Sequence, residues 1–104
     1  MKRPVRISAE AQAELTETSR WYDQQRPGLG LDFMRSIGRA IARIEAAAQT
    51  GTSVPGIADA SIRRVLVWRF PYHLVYIELP DRAQILAVSH HRRRPRYWIG
   101  RVPR

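Results

Sequence analysis

The amino-acid sequence predicts one α+β domain in which an antiparallel helix hairpin lies on one face of an antiparallel sheet. Apolar residues recur at three- and four-residue spacing in the first half of the chain and at alternate positions in the second half. A chain of 104 residues is long enough to bury one hydrophobic core but too short for two. We therefore expect residues 1–104 to form a single domain that ends in a basic tail over residues 91–104.

The charge of the chain is large and unevenly distributed. Eighteen lysines and arginines, seventeen of them arginine, stand against nine acidic residues, which gives a net charge of +9. Residues 1–60 carry eight basic and seven acidic side chains, whereas residues 61–104 carry ten and two. The C-terminal part therefore forms a positive surface, and such a surface attracts a phosphate backbone or an acidic protein partner.

The composition excludes several classes of protein. With 44% hydrophobic and 26% charged residues, the chain is too apolar to be a disordered polycation. The absence of cysteine excludes disulfides, thiolate metal sites and a cysteine nucleophile. Apolar runs such as residues 65–68 are far shorter than the roughly 20 residues of a membrane span, and the N-terminal region has no hydrophobic signal-peptide core. We expect a cytoplasmic protein with no membrane partner.

The first half of the sequence predicts a short strand followed by two helices. Residues 5–7 alternate apolar and polar side chains, and Ser8 is placed to cap a helix that runs to about Gln25. Residues 26–28 separate it from a second helix that stops near Gly51, so the two helices form an antiparallel hairpin. The apolar stripes are Ala11, Leu15, Thr18 and Tyr22 in the first helix, and Met34, Ile37, Ile41, Ile44 and Ala48 in the second.

The second half predicts three antiparallel strands after a loop at residues 52–59. Apolar residues of β-branched and aromatic type dominate Ile62 to Trp68, Tyr72 to Leu79 and Ala83 to His90. The last two strands should form a hairpin, because residues 79–82 have proline at the second position of a tight turn. The middle strand is apolar on both faces, which indicates a central position in the sheet.

Several conspicuous residues are assigned to structure rather than to chemistry. Trp21, Tyr22 and the apolar stripe of the second helix are expected in the core. His73 is interpreted as a strand histidine hydrogen-bonded at the edge of the core. His90 and His91 are consecutive, so if both lie in the strand they face opposite ways and cannot chelate one metal ion. We expect neither a metal nor a cofactor.

Several motifs resemble one protein family over nearly the whole chain. They are Ala11-x-x-x-Leu15 with Trp21-Tyr22, Arg26-Pro27-Gly28-Leu29-Gly30 followed by Phe33, Ile62-Arg63-Arg64-Val65, Arg69-Phe70-Pro71-Tyr72-His73-Leu74-Val75-Tyr76, and Ala87-Val88-Ser89-His90-His91-Arg92-Arg93-Arg94-Pro95-x-Tyr97-Trp98. Together these motifs resemble the RelE/ParE superfamily of toxins from type II toxin-antitoxin systems. The Phe-Pro-Tyr strand and the Arg-Pro-x-Tyr-Trp ending are the most specific and place the chain nearer the ParE-like branch.

The resemblance implies a toxin that arrests growth and is held inactive by a co-expressed antitoxin, in modules of the kind linked to plasmid stabilisation. An acidic or amphipathic C-terminal segment of the antitoxin usually wraps the toxin, and part of the helix hairpin would belong to that binding surface. ParE-like members inhibit DNA gyrase without cleaving anything, whereas RelE-like members cleave mRNA on the ribosome. We expect gyrase as the target, with mRNA cleavage as the alternative and a non-toxic nucleic-acid-binding relative as a second alternative.

The mRNA endonuclease alternative has its own candidate residues. Metal-free RNA cleavage needs a group that deprotonates the ribose 2′-hydroxyl, cations that stabilise the charged phosphorane, and an acid for the leaving oxygen. The catalytic candidates are Arg63, Arg64, His73 and His91, with Tyr97 as a further proton carrier and Arg92 as a further phosphate ligand. The set is incomplete by resemblance, because the nucleases carry an arginine in the strand where this sequence has His73.

Gyrase inhibition would instead depend on the basic C-terminal region. The predicted target-binding residues are Arg92, Arg93, Arg94, Arg96, Tyr97, Trp98 and Arg101. They mix cations with aromatics, as nucleic-acid contact surfaces do. The alternative is a solvated tail whose only partner is the antitoxin. We expect Tyr97 and Trp98 to cover the core while the arginines face outward.

Overall fold

The computed structural model describes residues 3–103 and contains two α-helices, five strands and one short 3-10 helix. The order of elements along the chain matches the predicted strand, helix hairpin and meander. The elements are β1 Val5–Ile7, α1 Ala9–Gln25, α2 Leu29–Ala46, β2 Thr52–Ser53, β3 Ile62–Val67, β4 Tyr72–Glu78, β5 Ala83–His90 and the 3-10 helix Ile99–Arg101.

The five strands form one mixed sheet in the order β1-β5-β4-β3-β2. β3, β4 and β5 form the predicted antiparallel meander, and β4 lies at its centre as expected. β1 adds to the other side of β5 as a parallel strand, with Val5 opposite Ala83. β2 pairs with β3, with Thr52 opposite Arg64, inside the segment predicted to be a loop. That prediction was wrong because two residues are too short a strand to leave a periodic pattern.

Both helices pack on one face of the sheet, and their ends follow local rules. The Ser8 hydroxyl accepts a hydrogen bond from the backbone N–H of Ala11 at 3.1 Å, which confirms the predicted N-cap of α1. Gly28 opens α2 with a φ of 90°, a conformation that glycine adopts without strain. At Gly30 a Cβ would collide with the backbone oxygen of Ser19, so glycine allows the two helices to approach closely.

The stripe of α2 that faces the sheet differs from the predicted one. Phe33, Ile37 and Ile44 are buried, whereas Met34 is 37% exposed. Trp21, also expected in the core, is 53% exposed, because its neighbour Tyr22 takes the inward position on α1. Ile37, Ile41 and Ile44 face the core as predicted, whereas Phe33 takes the first position of the stripe, which was assigned to its neighbour Met34.

The end of α2 also falls earlier than predicted. The helix stops at Ala46, so Ala48 lies beyond it rather than on its apolar face. The hydroxyl of Tyr76 donates to the backbone oxygen of Ala48 at 2.6 Å and accepts from the N–H of Gly51 at 3.0 Å. These two long-range bonds hold the chain in a turn that leads into β2, and no local pattern in the sequence encodes them.

The opposite face of the sheet is covered by the C-terminal segment. Trp98 is only 2% exposed there, and Tyr97 is half-buried beside it, which confirms that these two side chains cover the core. The segment of residues 91–103 is therefore anchored to the sheet through Tyr97 and Trp98 rather than being a loose tail. The buried apolar residues of this second cluster are Val54, Ile62, Val75, Ile77, Leu86, Ala87 and Trp98.

Candidate functional site

A basic cleft of about 170 Å³ lies between the C-terminal segment and the sheet face that points away from the helices. Within residues 3–103, no aspartate or glutamate lines it, so the cleft favours an anionic ligand. The ionisable residues that line it are Arg64, His73, His90, His91, Arg93, Arg94 and Arg96.

Three of the four predicted catalytic residues meet at this cleft. Arg64, His73 and His91 line a shared depression together with Leu66. The rings of His73 and His91 are stacked, with centroids 5.5 Å apart and planes inclined by 18°. The local arrangement brings cations and imidazoles together as the nuclease alternative requires.

Arg63 lies on the other face of the sheet. Its Nε donates to Glu78 Oε1 at 3.1 Å and its Nη1 donates to the backbone oxygen of Gly51 at 3.1 Å. It sits opposite Tyr76 in the β3–β4 register, and Tyr76 belongs to the core under the helices. Arg63 is therefore a structural cation, and the structure does not bring it to the other three catalytic candidates.

His73 is half-buried and poorly placed to take up a proton. Burial, assisted by the positive charge of Arg64 and by His91, lowers the pKa of His73 to about 4. At neutral pH its imidazole is uncharged and only weakly basic. It cannot serve as a cation for a phosphate, and it is a weak general base.

Tyr97 is held by a carboxylate that is 83 positions away in the sequence. Its hydroxyl donates to Glu14 Oε2 at 2.6 Å, and burial together with this bond raises the pKa of Tyr97 to about 12. Arg101 pairs with the same carboxylate, with Nη1 2.9 Å from Glu14 Oε1. Arg101 was expected to face outward, and this was wrong because Glu14 of α1 draws the guanidinium inward.

The remaining arginines of the segment lie on the surface. Arg92, Arg94 and Arg96 are exposed, and within residues 3–103 their guanidinium groups have no ion-pair partner within 4 Å. Arg93 lies over the ring of Tyr97 at 4.0 Å from its centroid. The structure thus divides the seven predicted target-binding residues into an exposed cationic group and an anchoring group of Tyr97, Trp98 and Arg101.

Consecutive histidines at the end of β5 lie on opposite sides of the sheet. On the helix side, the ring centroids of His90 and Tyr72 lie 5.0 Å apart, whereas His91 stacks on His73 on the other side. Across residues 3–103, no cluster of three or more histidine and carboxylate side chains has the arrangement of a metal site. None of the helices in this part of the chain is long and apolar enough to cross a membrane.

A second exposed feature was not singled out from the sequence. Leu66 and Trp68 are 62% and 64% exposed at the end of β3. The guanidinium carbons of Arg39 and Arg69 lie 5.9 and 5.7 Å from the centre of the Trp68 ring. Arg35, Arg39 and Arg43 recur at every fourth position of α2, a signal that could have located this surface. We call these residues, Leu66, Trp68, Arg39 and Arg69, the tryptophan surface.

These features define a class of small basic α+β domains with a helix hairpin on one sheet face and a packed cationic segment on the other. A family model described as "ParE toxin of type II toxin-antitoxin system, parDE" matches residues 5–95. The chain belongs to this family, which confirms the resemblance seen in the motifs.

Solved structures agree with this assignment at the level of the fold. A chain from a structure described as "Chromosomal ParDE TA system from P. aeruginosa" is 18% identical to this chain, with a TM-score of 0.72. The match covers 86% of this chain and 96% of the other, and it confirms the predicted α+β fold. A search of curated proteins gave no matching relative.

Proposed function

We propose that this ParE-family toxin arrests growth in the cytoplasm by inhibiting DNA gyrase, and that an antitoxin holds it inactive. The observation that carries the proposal is a contrast within the C-terminal half of the chain. Two of the groups that could move protons in a nuclease, His73 and Tyr97, are weakly basic or engaged, whereas Arg92, Arg94 and Arg96 are exposed and unpaired within residues 3–103. Such a surface suits binding more than bond cleavage.

The proton-transfer groups are the first part of this argument. A general base works best when its pKa lies near the operating pH. The pKa of His73 is about 4, and the phenol of Tyr97, with a pKa of about 12, donates its proton to Glu14. Neither side chain is matched to acid-base work at neutral pH.

The exposed arginines are the second part. An arginine side chain presents a planar fork that binds carboxylates and phosphates through paired hydrogen bonds. Trp98 and Tyr97 fix the segment that carries the arginines to the sheet, so the cations are presented from an ordered backbone. An ordered cationic segment binds a protein or protein-DNA target with a smaller loss of conformational entropy than a loose tail would.

The test compares two double variants that remove the same charge. Arg92→Ala/Arg94→Ala removes exposed tail arginines, and Arg20→Ala/Arg26→Ala removes exposed arginines of α1 and the hairpin turn. We expect the tail variant to lose at least about tenfold in inhibition of purified gyrase supercoiling, and the control to keep wild-type potency.

In cells, pulse labelling should show DNA synthesis falling before protein synthesis. Equal potency of both variants would contradict the assigned surface, and an early fall in protein synthesis would contradict gyrase as the target.

The tryptophan surface is the part of the molecule that best fits an antitoxin segment. Exposed Leu66 and Trp68 offer apolar contacts, and Arg39 and Arg69 beside the Trp68 ring favour acidic side chains. Trp68→Ala should weaken the complex with the co-expressed antitoxin about tenfold or more by calorimetry, because an exposed tryptophan between cations is a typical binding hot spot. Ile99→Ala is the matched control, since Ile99 is also large, apolar and 51% exposed.

The second candidate function is ribosome-dependent mRNA cleavage, favoured by the meeting of Arg64, His73 and His91 at one depression. Under this alternative, His91→Ala and Arg64→Ala each abolish mRNA cleavage on purified ribosomes while antitoxin binding persists. If neither variant changes cleavage, these assignments are wrong. A non-toxic nucleic-acid-binding relative would instead show an affinity for nucleic acid that falls steeply with salt, with a log-log slope of about −0.7 to −0.9 per phosphate contact.

A further inference from the structure

A second cleft, larger than the basic one, lies between α1 and the start of β4. It has a volume of about 560 Å³ and opens to solvent beside the exposed ring of Trp21. Its walls are formed mainly by Trp21, Tyr22, Tyr72 and His90, and Glu17 stands at its edge. We call it the aromatic cleft. None of the residues assigned to toxicity above belongs to it.

The aromatic rings form a continuous wall. Trp21 and Tyr22 meet edge to face with centroids 5.1 Å apart, Tyr22 and Tyr72 are 6.4 Å apart, and Tyr72 and His90 are 5.0 Å apart. The faces of aromatic rings carry partial negative charge and attract cations, tryptophan most strongly. Trp21 is 53% exposed, so its ring can be reached from solvent.

The charge of the aromatic cleft is opposite to that of the chain as a whole. The chain carries a net charge of +9, yet no lysine or arginine of residues 3–103 lines this cleft. Glu17 is exposed there, and in the same part of the chain it has no ion-pair partner within 4 Å. The Nδ1 atom of His90 accepts a hydrogen bond from the backbone N–H of Arg92 at 3.0 Å.

We propose that the aromatic cleft binds the guanidinium group of an arginine on a partner protein. A guanidinium stacks flat on an aromatic ring while its N–H groups pair with a carboxylate, and Trp21 and Glu17 supply these two contacts on one side of the cleft. The cleft therefore selects a partner residue of the charge opposite to that selected by the arginine segment. This inference does not depend on gyrase inhibition.

The test uses the isotope-labelled full chain and two small probes. N-acetyl-arginine methylamide carries the guanidinium, and N-acetyl-citrulline methylamide has nearly the same shape without the charge. The indole N–H signal of Trp21, assigned with Trp21→Phe, reports binding in a nuclear magnetic resonance titration at low salt. We expect a saturable shift with the arginine probe and an affinity at least about fivefold weaker for the citrulline probe.

Matched variants separate the carboxylate from a general charge effect. Glu17→Gln should weaken binding of the arginine probe about fivefold and leave the citrulline response unchanged, whereas Glu10→Gln, an exposed glutamate of the same helix outside the cleft, should change neither. Equal responses to the two probes, no shift of the Trp21 signal, or an unchanged affinity in Glu17→Gln would each overturn the proposal. All of these readouts are independent of toxicity, so failure here and failure of gyrase inhibition are distinguishable.

Discussion

Replacing Glu14 with glutamine should loosen the C-terminal segment while keeping the size of the side chain. Glu14 accepts hydrogen bonds from the hydroxyl of Tyr97 at 2.6 Å, from Arg101 Nη1 at 2.9 Å and from the N–H of Val88 at 3.0 Å. Glutamine retains one acceptor oxygen, but its amide group directs N–H donors at partners that are themselves donors. The variant Glu14→Gln therefore leaves Arg101 without its counter-charge.

The structure sets the size of this effect. The side chains of Glu14 and Arg101 are 15% and 19% exposed, so the pair is shielded from water without being fully buried. A hydrogen bond to a charged group contributes about 1.5–3 kcal/mol, and breaking a fully buried ion pair costs about 3–5 kcal/mol. For this partly shielded pair we expect Glu14→Gln to lower the free energy of unfolding by about 2–3 kcal/mol, which corresponds to about 10 °C in Tm for a domain of this size.

Urea denaturation measures the loss in the free energy of unfolding directly. It is applied to the wild type, to both single variants and to the double variant Glu14→Gln/Arg101→Gln. The double-mutant cycle should give a coupling energy above about 1 kcal/mol. Asp81→Asn serves as the control, because the Asp81–Arg82 pair is exposed and should contribute less than about 0.5 kcal/mol. A change below about 0.5 kcal/mol in Glu14→Gln, or a coupling energy near zero, would refute the idea that this carboxylate fastens the segment.

Two further predictions concern pH. The pKa of His73 is lowered from 6.5 to about 4 on folding, so the neutral ring favours the folded state above pH 6.5. This contribution to the free energy of unfolding, about 2 kcal/mol after allowing for solvent screening, is lost as the pH falls through 4. In urea denaturation, His73→Asn should therefore lose less stability than the wild type between pH 7 and pH 4. The pKa of Tyr97 is raised from 10.0 to about 12, so its contribution is intact below pH 10 and is lost as the pH rises through 12. Tyr97→Phe should lose about 1–2 kcal/mol less than the wild type over that interval, and equal losses would contradict the assignment.

Local sequence patterns were enough to predict the order of elements and the helix hairpin. The serine cap, the Pro-Gly break between the helices and the proline turn at residues 79–82 are short-range signals, and the structure places elements at each of them. The parallel pairing of β1 with β5 was not predicted, because it joins strands about 78 positions apart and depends on where the helix hairpin returns the chain. Register between distant strands is a property of packing and not of local periodicity.

The candidate site was predictable in its residue types but not in their grouping. The sequence placed seven cationic and aromatic residues in one target-binding set, yet the structure divides them because Glu14, on α1, engages Tyr97 and Arg101. Arg63 was likewise grouped with Arg64, its neighbour in the sequence, as a catalytic candidate. Alternation along β3 sends the two side chains to opposite faces, so a pair of consecutive arginines cannot serve one phosphate site from a flat strand.

Truncation before Pro95 provides a last prediction. It would remove Trp98, which is 2% exposed in the second cluster, and loss of such a side chain costs about 3–5 kcal/mol against a typical total stability of about 5–15 kcal/mol. We expect the truncated chain to lose its near-ultraviolet circular dichroism together with its toxicity, whereas Arg92→Ala/Arg94→Ala should lose toxicity and keep the spectrum. A truncated chain that keeps the wild-type spectrum would show that Trp98 does not hold the sheet face together. Point substitution of the exposed arginines, rather than truncation, therefore separates target binding from folding in this segment.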